Sequence, residues 1–366
     1  MEQNFKGPSY TLGIEEELMI LDPETLDLAD AFDRLSREGD DARVKPELHE
    51  CVLEIATPPA ANTREAAAAL RGLRREVSRR AEAEGLAICS AGTHPFARWE
   101  DHRISSGQRY RDLIDALRFV ARQELIFGLH VHVGLDDPDK AIHVANGMRV
   151  HVPILLALSA NSPFWRADAT GLASTRTPIF RQFPRIGIPP AYDGWQDYAA
   201  RIQFMMDSGA IKDYTYLWFD VRPHPTLGTV EIRAMDAQTR VEHTLAIAAL
   251  IQAMVKELAE HYESGRALSD YPLEMLEEDK WLAARHGLEG ELVDLPSTER
   301  ITGRALARRL YDRLRDHAQD LGSADELEGL LDLVENGNGA SRQRVVYEAN
   351  HDFQELVGDL VEASGA

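Results

Sequence analysis

The sequence predicts an α+β fold, in which a mixed, mainly antiparallel sheet is followed by a helical portion. Six segments before residue 238 alternate between apolar and polar residues, as strands with one buried face do. From Thr239 onward, apolar residues recur at the three- and four-residue spacing of helices. No Pro/Gly/Ser-rich linker divides the two parts. We therefore predict a single domain over residues 1–366, with a sheet-containing core at 1–238 and a helical portion at 239–366 packed on it.

The predicted elements follow from these two periodicities and from turn and capping residues. The strands cover residues 10–21, 45–57, 86–90, 125–135, 215–223 and 228–236. Asn62 or Thr63 caps a first helix, which Gly85 ends. Further helices are predicted at 109–123, 141–159, 239–262, 273–286, 300–320 and 341–362, with a loop at 336–339 between the last two.

The composition argues against several classes of partner. A formal net charge of −21 repels nucleic acid and anionic membrane surfaces. No apolar run approaches the ~20 residues that cross a bilayer. The N-terminus lacks the basic and apolar regions of a signal peptide. We therefore predict a cytoplasmic protein that binds neither nucleic acid nor membranes. Cys51 and Cys89 stand in apolar, strand-like runs and are predicted to be small buried side chains.

Four predicted strands each carry an apolar face and a face with carboxylate, imidazole or guanidinium groups. On the polar faces stand Glu15 with Glu17, Glu50 with Glu54, His130 with His132, and Glu231 with Arg233. One interpretation is a half-solvated antiparallel sheet, whose outer face is polar. Recurrent glutamate favours another, because like charges on neighbouring strands destabilise a sheet. A bound divalent cation removes that repulsion, and Mg²⁺ or Mn²⁺ prefers carboxylate oxygen. We favour a concave sheet lined by metal ligands.

Several common motifs are absent from the sequence. There is no HExxH, CxxC or GxSxG, and no GxxxxGK[ST] that would hold ATP in a P-loop. No G-x-G-x-x-G follows a strand, which argues against a Rossmann cofactor site. The polar sheet face therefore remains the candidate functional region.

Five segments, in this order, resemble the type 2 glutamate–cysteine ligase family, also called carboxylate–amine ligases. They are GIEEE, PELHECVLEIATP, FGLHVHVGL, LSANSPFW with the later Gly171 and Arg176, and TVEIRAMD. GNGASRQR near Gly339 is similar to a C-terminal block of the family. The resemblance covers most of the chain. It implies a glutamine-synthetase-like fold, in which a curved antiparallel sheet forms a funnel for ATP, Mg²⁺ and an amino acid.

The resemblance also implies roles for individual residues. Metal ligands fall on Glu15, Glu17, Glu54, His130 and Glu231, with Glu47 or Glu50 as additions and His132 on the same face. Glu47 has the opposite strand parity from Glu54, so this assignment requires a bulge or a strand start. Arg233, together with Glu231, would face the ATP phosphates, and Arg222 would assist Arg233 in neutralising the transferring phosphoryl group. Arg109, Arg176 and Arg185 are candidates for the substrate α-carboxylate, and a surface or structural role is the alternative for each.

The implied reaction joins the glutamate γ-carboxylate to the cysteine amine through an acyl phosphate, giving ADP and phosphate. Two alternatives stay open at this point. A metal-dependent hydrolase or phosphotransferase could use the same polar face, with His130 and His132 holding a hydrolytic metal. A non-catalytic relative could bind the ligands without turnover. The sequence leaves the identity of both substrates and the oligomeric state open, with a homodimer as the preferred arrangement.

Overall fold

A seven-stranded antiparallel sheet forms the centre of the molecule. The computed structural model describes residues 1–37 and 43–365. The strands are β1 Leu12–Leu21, β2 Val44–Pro46, β3 Val52–Ala56, β4 Ala87–Cys89, β5 Gly128–Gly134, β6 Val221–His224 and β7 Thr229–Asp236. Their order is β6–β7–β5–β1–β3–β2, and β4 pairs with the last three residues of β1. The predicted α+β fold with a mainly antiparallel sheet is confirmed.

Both outer strands of the sheet are short, and both contain proline. Pro46 ends β2, and Pro223 lies in β6. Proline has no backbone N–H to donate to a further strand, so it is tolerated at sheet edges. The longest strands, β1 and β7, lie inside the sheet.

Helices cover the apolar face of the sheet and form the C-terminal portion. The longer ones are α1 Thr63–Ala83, α2 Gln108–Leu117, α3 Pro138–Met148, α4 Val152–Ser159, α5 Trp195–Asp207, α6 Val241–Glu263, α7 Leu273–His286, α8 Gly303–Leu321, α9 Gly329–Asn336, α10 Gly339–Asn350 and α11 Phe353–Ser364. Short helices occur at Phe32–Leu35, Phe119–Arg122, Arg176–Phe180 and Ala324–Leu327. Two-residue strand pairs join Phe164–Trp165 to Asp168–Ala169 and Ile186–Gly187 to Trp218–Phe219.

The strand alternation decides which side chains enter the core. Ile14 and Leu18 of β1 are buried in a hydrophobic cluster that also contains Val131 of β5 and Leu250 of α6. Side chains from both the sheet-containing and the helical portion thus share one apolar cluster. The division at residue 238 stays a prediction.

Several predicted elements differ from the structure where a turn interrupts the pattern. The predicted strand at 45–57 is a hairpin, because residues 47–51 leave the strand conformation between β2 and β3. The predicted helix at 109–123 breaks at Arg118, which has a φ of 53°. The predicted helix at 341–362 is two helices, α10 and α11. The helical portion also contains a hairpin of Glu291–Asp294 and Glu299–Thr302. This hairpin was not predicted from the sequence.

One helical stretch, Pro138–Ser159, is long and apolar enough to cross a membrane by length and composition. Of the 18 most apolar consecutive residues in this stretch, 78% are buried inside the protein. The sequence analysis had found no such run. Its burial is the pattern of a core helix, and α3 and α4 do pack in the main hydrophobic cluster.

Candidate active site

The polar face of the sheet forms one wall of a cavity of about 500 Å³. Helix α2, which contains Arg109, and shorter segments with Arg176 and Tyr216 complete the lining. Of the residues predicted from the sequence, the lining includes Glu15, Glu17, Glu54, His130, His132, Glu231, Arg233, Arg222, Arg109 and Arg176. The sheet therefore gathers predicted site residues from five strands, β1, β3, β5, β6 and β7, in one concave space.

Strand register accounts for this convergence. Glu15 of β1 lies opposite His130 of β5, and Glu17 lies opposite Glu54 of β3. On the other side of β5, His132 lies opposite Glu231 of β7. Directly opposed residues in an antiparallel pair have neighbouring side chains on the same face. Six chemically active side chains thus become neighbours through backbone pairing alone.

The carboxylates and imidazoles are close enough to share cations. Among the described residues that line the cavity, three groups bring one ligand atom per residue to within 4.8 Å of one another: Glu15–His132–Glu231, Glu15–Glu54–His130 and Glu17–Glu47–Glu54. Neighbouring groups share Glu15 or Glu54, so they form a continuous row across the sheet. Carboxylate oxygen with an occasional imidazole suits Mg²⁺ or Mn²⁺.

The electrostatics of Glu15 and Glu54 differ in direction. Burial alone would raise the pKa of Glu15, but the neighbouring imidazoles of His130 and His132, 3.3 and 3.6 Å from its Oε2, outweigh it and hold the pKa well below its ordinary value. Burial and the negative charge of Glu15 raise the pKa of Glu54 to about 7, against the positive charge of Lys45. Burial, followed by the charges of Glu54 and Glu17, also raises the pKa of Glu47. Crowding among these carboxylates is therefore unfavourable, and a cation would relieve it.

Two arginines hold Glu231 from opposite sides. Nε of Arg222 lies 2.7 Å from Oε2 of Glu231, and Nη1 of Arg233 pairs with Oε1. Burial would raise the pKa of Glu231, but these two positive charges hold it well below its usual range. Arg222 also donates to the carbonyl oxygens of Thr215 and Leu217, at 3.1 and 2.9 Å. Arg222 is thus fully engaged, whereas Nε of Arg233 is buried and has no hydrogen-bond partner among residues 1–37 and 43–365.

Buried polar atoms without hydrogen-bond partners indicate which ligands this cavity can accept. Nε2 of His132 is buried without a hydrogen bond to any described residue, and it lies 3.6 Å from both Oε2 of Glu15 and Oε1 of Glu231. Together these atoms offer one imidazole lone pair and two carboxylate oxygens. A divalent cation would satisfy all three, and the free Nε of Arg233 could donate to a phosphate oxygen. The residues present therefore fit a metal–nucleotide complex.

A second unsatisfied pair lies elsewhere in the cavity lining. Oε2 of Glu124 and Nε of Arg176 are both buried and lack hydrogen-bond partners within the described chain. Burial raises the pKa of Glu124 to about 8, against the positive charge of Arg176. Arg176 stacks on Phe180, with its guanidinium carbon 5.4 Å from the ring centroid. Gly128 makes room for it, because a Cβ there would lie 2.6 Å from Nη2 of Arg176.

Two residues predicted for the site lie outside the cavity lining. Glu50 precedes β3 in a turn, so the alternation that placed it with Glu54 does not reach it. Its carboxylate pairs with Arg103, at 2.6 Å. Arg185 donates from Nε to the carbonyl oxygen of Tyr216 and lies over the ring of Trp218. Neither side chain lines the cavity. The structure therefore gives no support to Glu50 as a metal ligand or to Arg185 as a ligand of the substrate carboxylate.

Three more residues line the cavity. Glu47 was an open alternative in the sequence, and Lys45 and Glu124 were not predicted from it. Lys45 of β2 lies opposite Glu54, and its Nζ is 2.7 Å from Oε1 of Glu54 and 3.7 Å from Oε1 of Glu15. Glu47 enters the lining because it follows β2 in the hairpin turn. Pro46 lies inside the predicted strand at 45–57, and a proline there can mark the end of a strand. Read in that way, the sequence would have indicated that Lys45 and Glu47 lie next to a turn. Glu124 lies in a loop without periodicity, so no sequence signal pointed to it.

Comparisons with known proteins agree with this architecture. Residues 11–363 match the family model described as glutamate-cysteine ligase family 2. A relative from Rubrobacter xylanophilus, provisionally named glutamate–cysteine ligase 2-1, is 43% identical over 100% of this chain and 97% of its own. One from Sorangium cellulosum, provisionally named glutamate–cysteine ligase 2, is 39% identical over 97% of this chain and 96% of its own.

Among solved structures, a glutamate–cysteine ligase from Francisella tularensis in complex with AMP has a TM-score of 0.72 at 15% identity. The match covers 99% of this chain and 89% of the other. A bifunctional glutathione synthetase from Pasteurella multocida has a TM-score of 0.71 at 14% identity, over 98% of this chain and 52% of the other. This chain therefore shares its fold with both of these solved proteins. The chain belongs to glutamate–cysteine ligase family 2.

Proposed function

We propose that this protein is an ATP- and Mg²⁺-dependent ligase that joins the γ-carboxylate of glutamate to the amine of cysteine. One observation carries the proposal: three overlapping groups of metal-ligating side chains form a row on the floor of one cavity, next to the unsatisfied Arg233. Family membership over residues 11–363 supports the ligase class. Mn²⁺ would serve in place of Mg²⁺ because an imidazole belongs to two of the groups.

The glutamates act as cation ligands in this proposal and not as acids or bases. Glu15, Glu54 and Glu231 would hold the cations, with Glu17 and Glu47 completing the outer group and His130 and His132 contributing nitrogen. Bound cations would neutralise the ATP phosphates and align the γ-phosphoryl group. The pKa of Glu15, held low by His130 and His132, keeps one shared ligand ionised. Glu15 belongs to two of the groups and would therefore contribute to both cation positions.

The two arginines next to Glu231 have separate roles. Arg233 has a free Nε and belongs to the cavity lining, so it would donate to the phosphoryl group during transfer. Arg222 donates to Glu231 and to two backbone carbonyl oxygens, which leaves it little capacity for a ligand. We therefore assign Arg222 as a positioning residue that orients Glu231.

The proposed reaction needs ATP because hydroxide is a poor leaving group from a carboxylate. A carboxylate oxygen attacks the γ-phosphorus of ATP, and the bond between that phosphorus and the bridging oxygen breaks to release ADP. The amine then attacks the acyl carbon, loses a proton to solvent and displaces inorganic phosphate. Arg233 stabilises negative charge in the first step, where two anions approach each other.

The amino-acid substrate would bind where Glu124 and Arg176 lie unsatisfied. A zwitterion offers an ammonium to the Glu124 carboxylate and a carboxylate to the Arg176 guanidinium, so one ligand satisfies both groups. Arg109 is exposed in the cavity lining, with its guanidinium carbon 6.0 Å from the centroid of the Tyr216 ring. It would assist entry of anionic substrates.

A phosphate-release assay tests the proposed function. Purified protein is incubated with ATP, Mg²⁺ and pairs of amino acids, including glutamate with cysteine. A ligase releases phosphate only when carboxylate and amine are both present, whereas a hydrolase releases its product without ATP. Mass spectrometry then identifies the dipeptide. Phosphate release that is equally low for every pair would count against the ligase and favour the binding-protein alternative. Cytoplasmic location and a homodimeric state remain predictions.

A further inference from the structure

A second cluster of metal-ligating side chains lies outside the cavity described above. It joins three chain segments: Asp30 after β1, Cys51 just before β3, and His102 after the short helical turn Trp99–Asp101. A thiol sulfur, a ring nitrogen and a carboxylate oxygen from these residues lie within 4.8 Å of one another. None of the three lines the catalytic cavity, although the hairpin of β2 and β3 is common to both regions.

One of the two ring nitrogens of the histidine in this cluster lacks a hydrogen-bond partner. Nδ1 of His102 is 3.2 Å from Oδ1 of Asp30, but Nε2 is buried and makes no hydrogen bond to any residue within 1–37 or 43–365. The His102 side chain is 8% exposed and that of Asp30 13%. Because a buried polar atom without a partner is unfavourable, the arrangement points to a missing ligand.

Two simpler interpretations fail to explain this arrangement. A purely apolar role would account for Cys51, which is fully buried, but not for the unsatisfied His102 beside it. An activated thiol nucleophile needs a depressed pKa and access to substrate. Burial instead raises the pKa of Cys51, and the negative charge of Asp30 raises it further. The thiol is therefore neither activated nor accessible.

We propose that Cys51, His102 and Asp30 form a binding site for a soft divalent transition metal ion, with Zn²⁺ as the best-fitting ion. One thiolate, one imidazole and one carboxylate are three ligand types that Zn²⁺ accepts, with water in the fourth position. Zn²⁺ binds these donors at about 2.0–2.3 Å. Binding would require the His102 ring and the Asp30 carboxylate to turn so that one ring nitrogen, one carboxylate oxygen and the Cys51 sulfur face the same ion. On binding, the thiol loses its proton to solvent and the thiolate takes the metal.

The proposed site differs chemically from the catalytic row. The row offers carboxylates and imidazoles for a hard cation, whereas Cys51 adds a thiolate, which selects against Mg²⁺. The protein would therefore distinguish two metals by ligand type. The metal would also tie together three segments that meet through backbone hydrogen bonds, from Glu50 N to Arg103 O and from Ala31 N to Glu50 O. These segments meet at the turn of the hairpin whose strands carry Lys45 and Glu54.

Cobalt substitution tests the proposal, because a thiolate–Co²⁺ bond gives a charge-transfer band in the near ultraviolet that carboxylate and imidazole ligands do not give. Metal-free, reduced protein is titrated with Co²⁺ in excess Mg²⁺, which occupies the carboxylate row. We expect the band to saturate at one Co²⁺ per chain and to disappear when Zn²⁺ is added. Cys51→Ser and Cys51→Ala should both lose it, and His102→Gln should weaken Co²⁺ binding at least 10-fold.

Cys89→Ser is the matched control, because Cys89 is equally buried but belongs to none of the described metal-ligating groups. This variant should keep the full band. The circular dichroism spectra of all variants must match that of the unsubstituted protein. A missing band in the unsubstituted protein, or a band that survives in both Cys51 variants, would overturn the proposal. So would an equal loss in Cys89→Ser, since the sulfur ligand would then not be specific to Cys51.

Discussion

Glu16 and Arg74 form a buried two-point ion pair on the face of β1 opposite the cavity. Nε and Nη2 of Arg74 each lie 2.8 Å from a carboxylate oxygen of Glu16. Arg74 also donates to the carbonyl oxygens of Gln238 and Thr239. The three consecutive glutamates of β1 thus divide between two tasks: Glu15 and Glu17 belong to the cavity, and Glu16 joins β1 to helix α1 and to the chain after β7.

Arg74→Met should destabilise the fold by about 3–5 kcal/mol, because it leaves the Glu16 carboxylate buried without its charged partner. Urea unfolding followed by circular dichroism measures this change. Arg75→Met, one residue along α1 and exposed, should change the free energy of unfolding by less than about 0.5 kcal/mol. Equal effects of the two substitutions would show that the Glu16–Arg74 pair contributes nothing beyond an exposed arginine.

Glu15→Gln and Glu231→Gln should each lower turnover by roughly 100-fold or more while the protein stays folded. Each removes a negative charge that the proposed cations need. Phosphate release with glutamate, cysteine, ATP and Mg²⁺ measures the loss, and thermal unfolding checks the fold. Unchanged turnover in either variant would remove that residue from the proposed metal site.

Glu50→Gln tests the correction made from the hairpin geometry. Because the Glu50 carboxylate pairs with Arg103 outside the cavity, turnover should stay within about two-fold of the unsubstituted protein. A loss as large as that of Glu15→Gln would instead support the original assignment from strand alternation.

Glu124→Gln should raise the KM for glutamate roughly 10–100-fold, because a charge-assisted hydrogen bond to the substrate ammonium contributes about 1.5–3 kcal/mol. Glutarate, which lacks the ammonium group, serves as a competitive inhibitor and isolates this contact. Its inhibition constant should be unaffected or improved by Glu124→Gln and weakened by Arg176→Gln. Equal weakening of glutamate and glutarate by Glu124→Gln would indicate a structural role for Glu124.

Stability should fall in acid through His94. Burial lowers the pKa of His94 to about 4 from its ordinary 6.5. Its Nδ1 accepts from the backbone N–H of Ala97 at 3.0 Å, and Nε2 donates to the carbonyl oxygen of Leu26 at 2.9 Å. Above pH 6.5 both the folded and unfolded states hold a neutral ring. As the pH falls from 6.5 to 4, only the unfolded chain binds the proton, which favours unfolding by up to about 3 kcal/mol.

Urea unfolding at pH 7.5, 6.0 and 4.5 measures this effect. His94→Asn should be less stable at pH 7.5 but should lose part of the decline in stability between pH 6.5 and 4.5. A decline of the same size in both proteins would assign the acid sensitivity to other groups.

Alternation within regular strands was enough to predict much of the site. Glu15, Glu17 and His130 stand on the predicted face because β1 and β5 have no bulge between them. Prediction failed for Glu50, because the turn before β3 resets the alternation. The pairing of β7 with β5 is also irregular, because its register shifts between Ile232 and Met235. Arg233 lies within this shift, and its side chain still lines the cavity.

The remaining site residues depend on tertiary structure that a local pattern does not contain. Lys45 reaches Glu54 only because β2 folds back on β3. Glu124 comes from a loop and Arg176 from the first residue of a five-residue helix, and neither segment is long enough for periodicity to specify the direction of a side chain. Arg185, also in a loop, has a φ of 58° and turns toward Trp218. Helical spacing likewise predicted where α10 and α11 lie but not the break between them.

The prolines at the two sheet margins have a consequence for how this protein behaves in concentrated solution. Pro46 and Pro223 interrupt the donor pattern on the flanks of a sheet whose inner strands are long and rich in valine, isoleucine and leucine. Strands of that composition are prone to recruit matching strands from other molecules when their flanks are free. With a proline in each of these two end strands, neither β2 nor β6 offers a continuous row of donors, which disfavours pairing of another molecule's strand at these two margins.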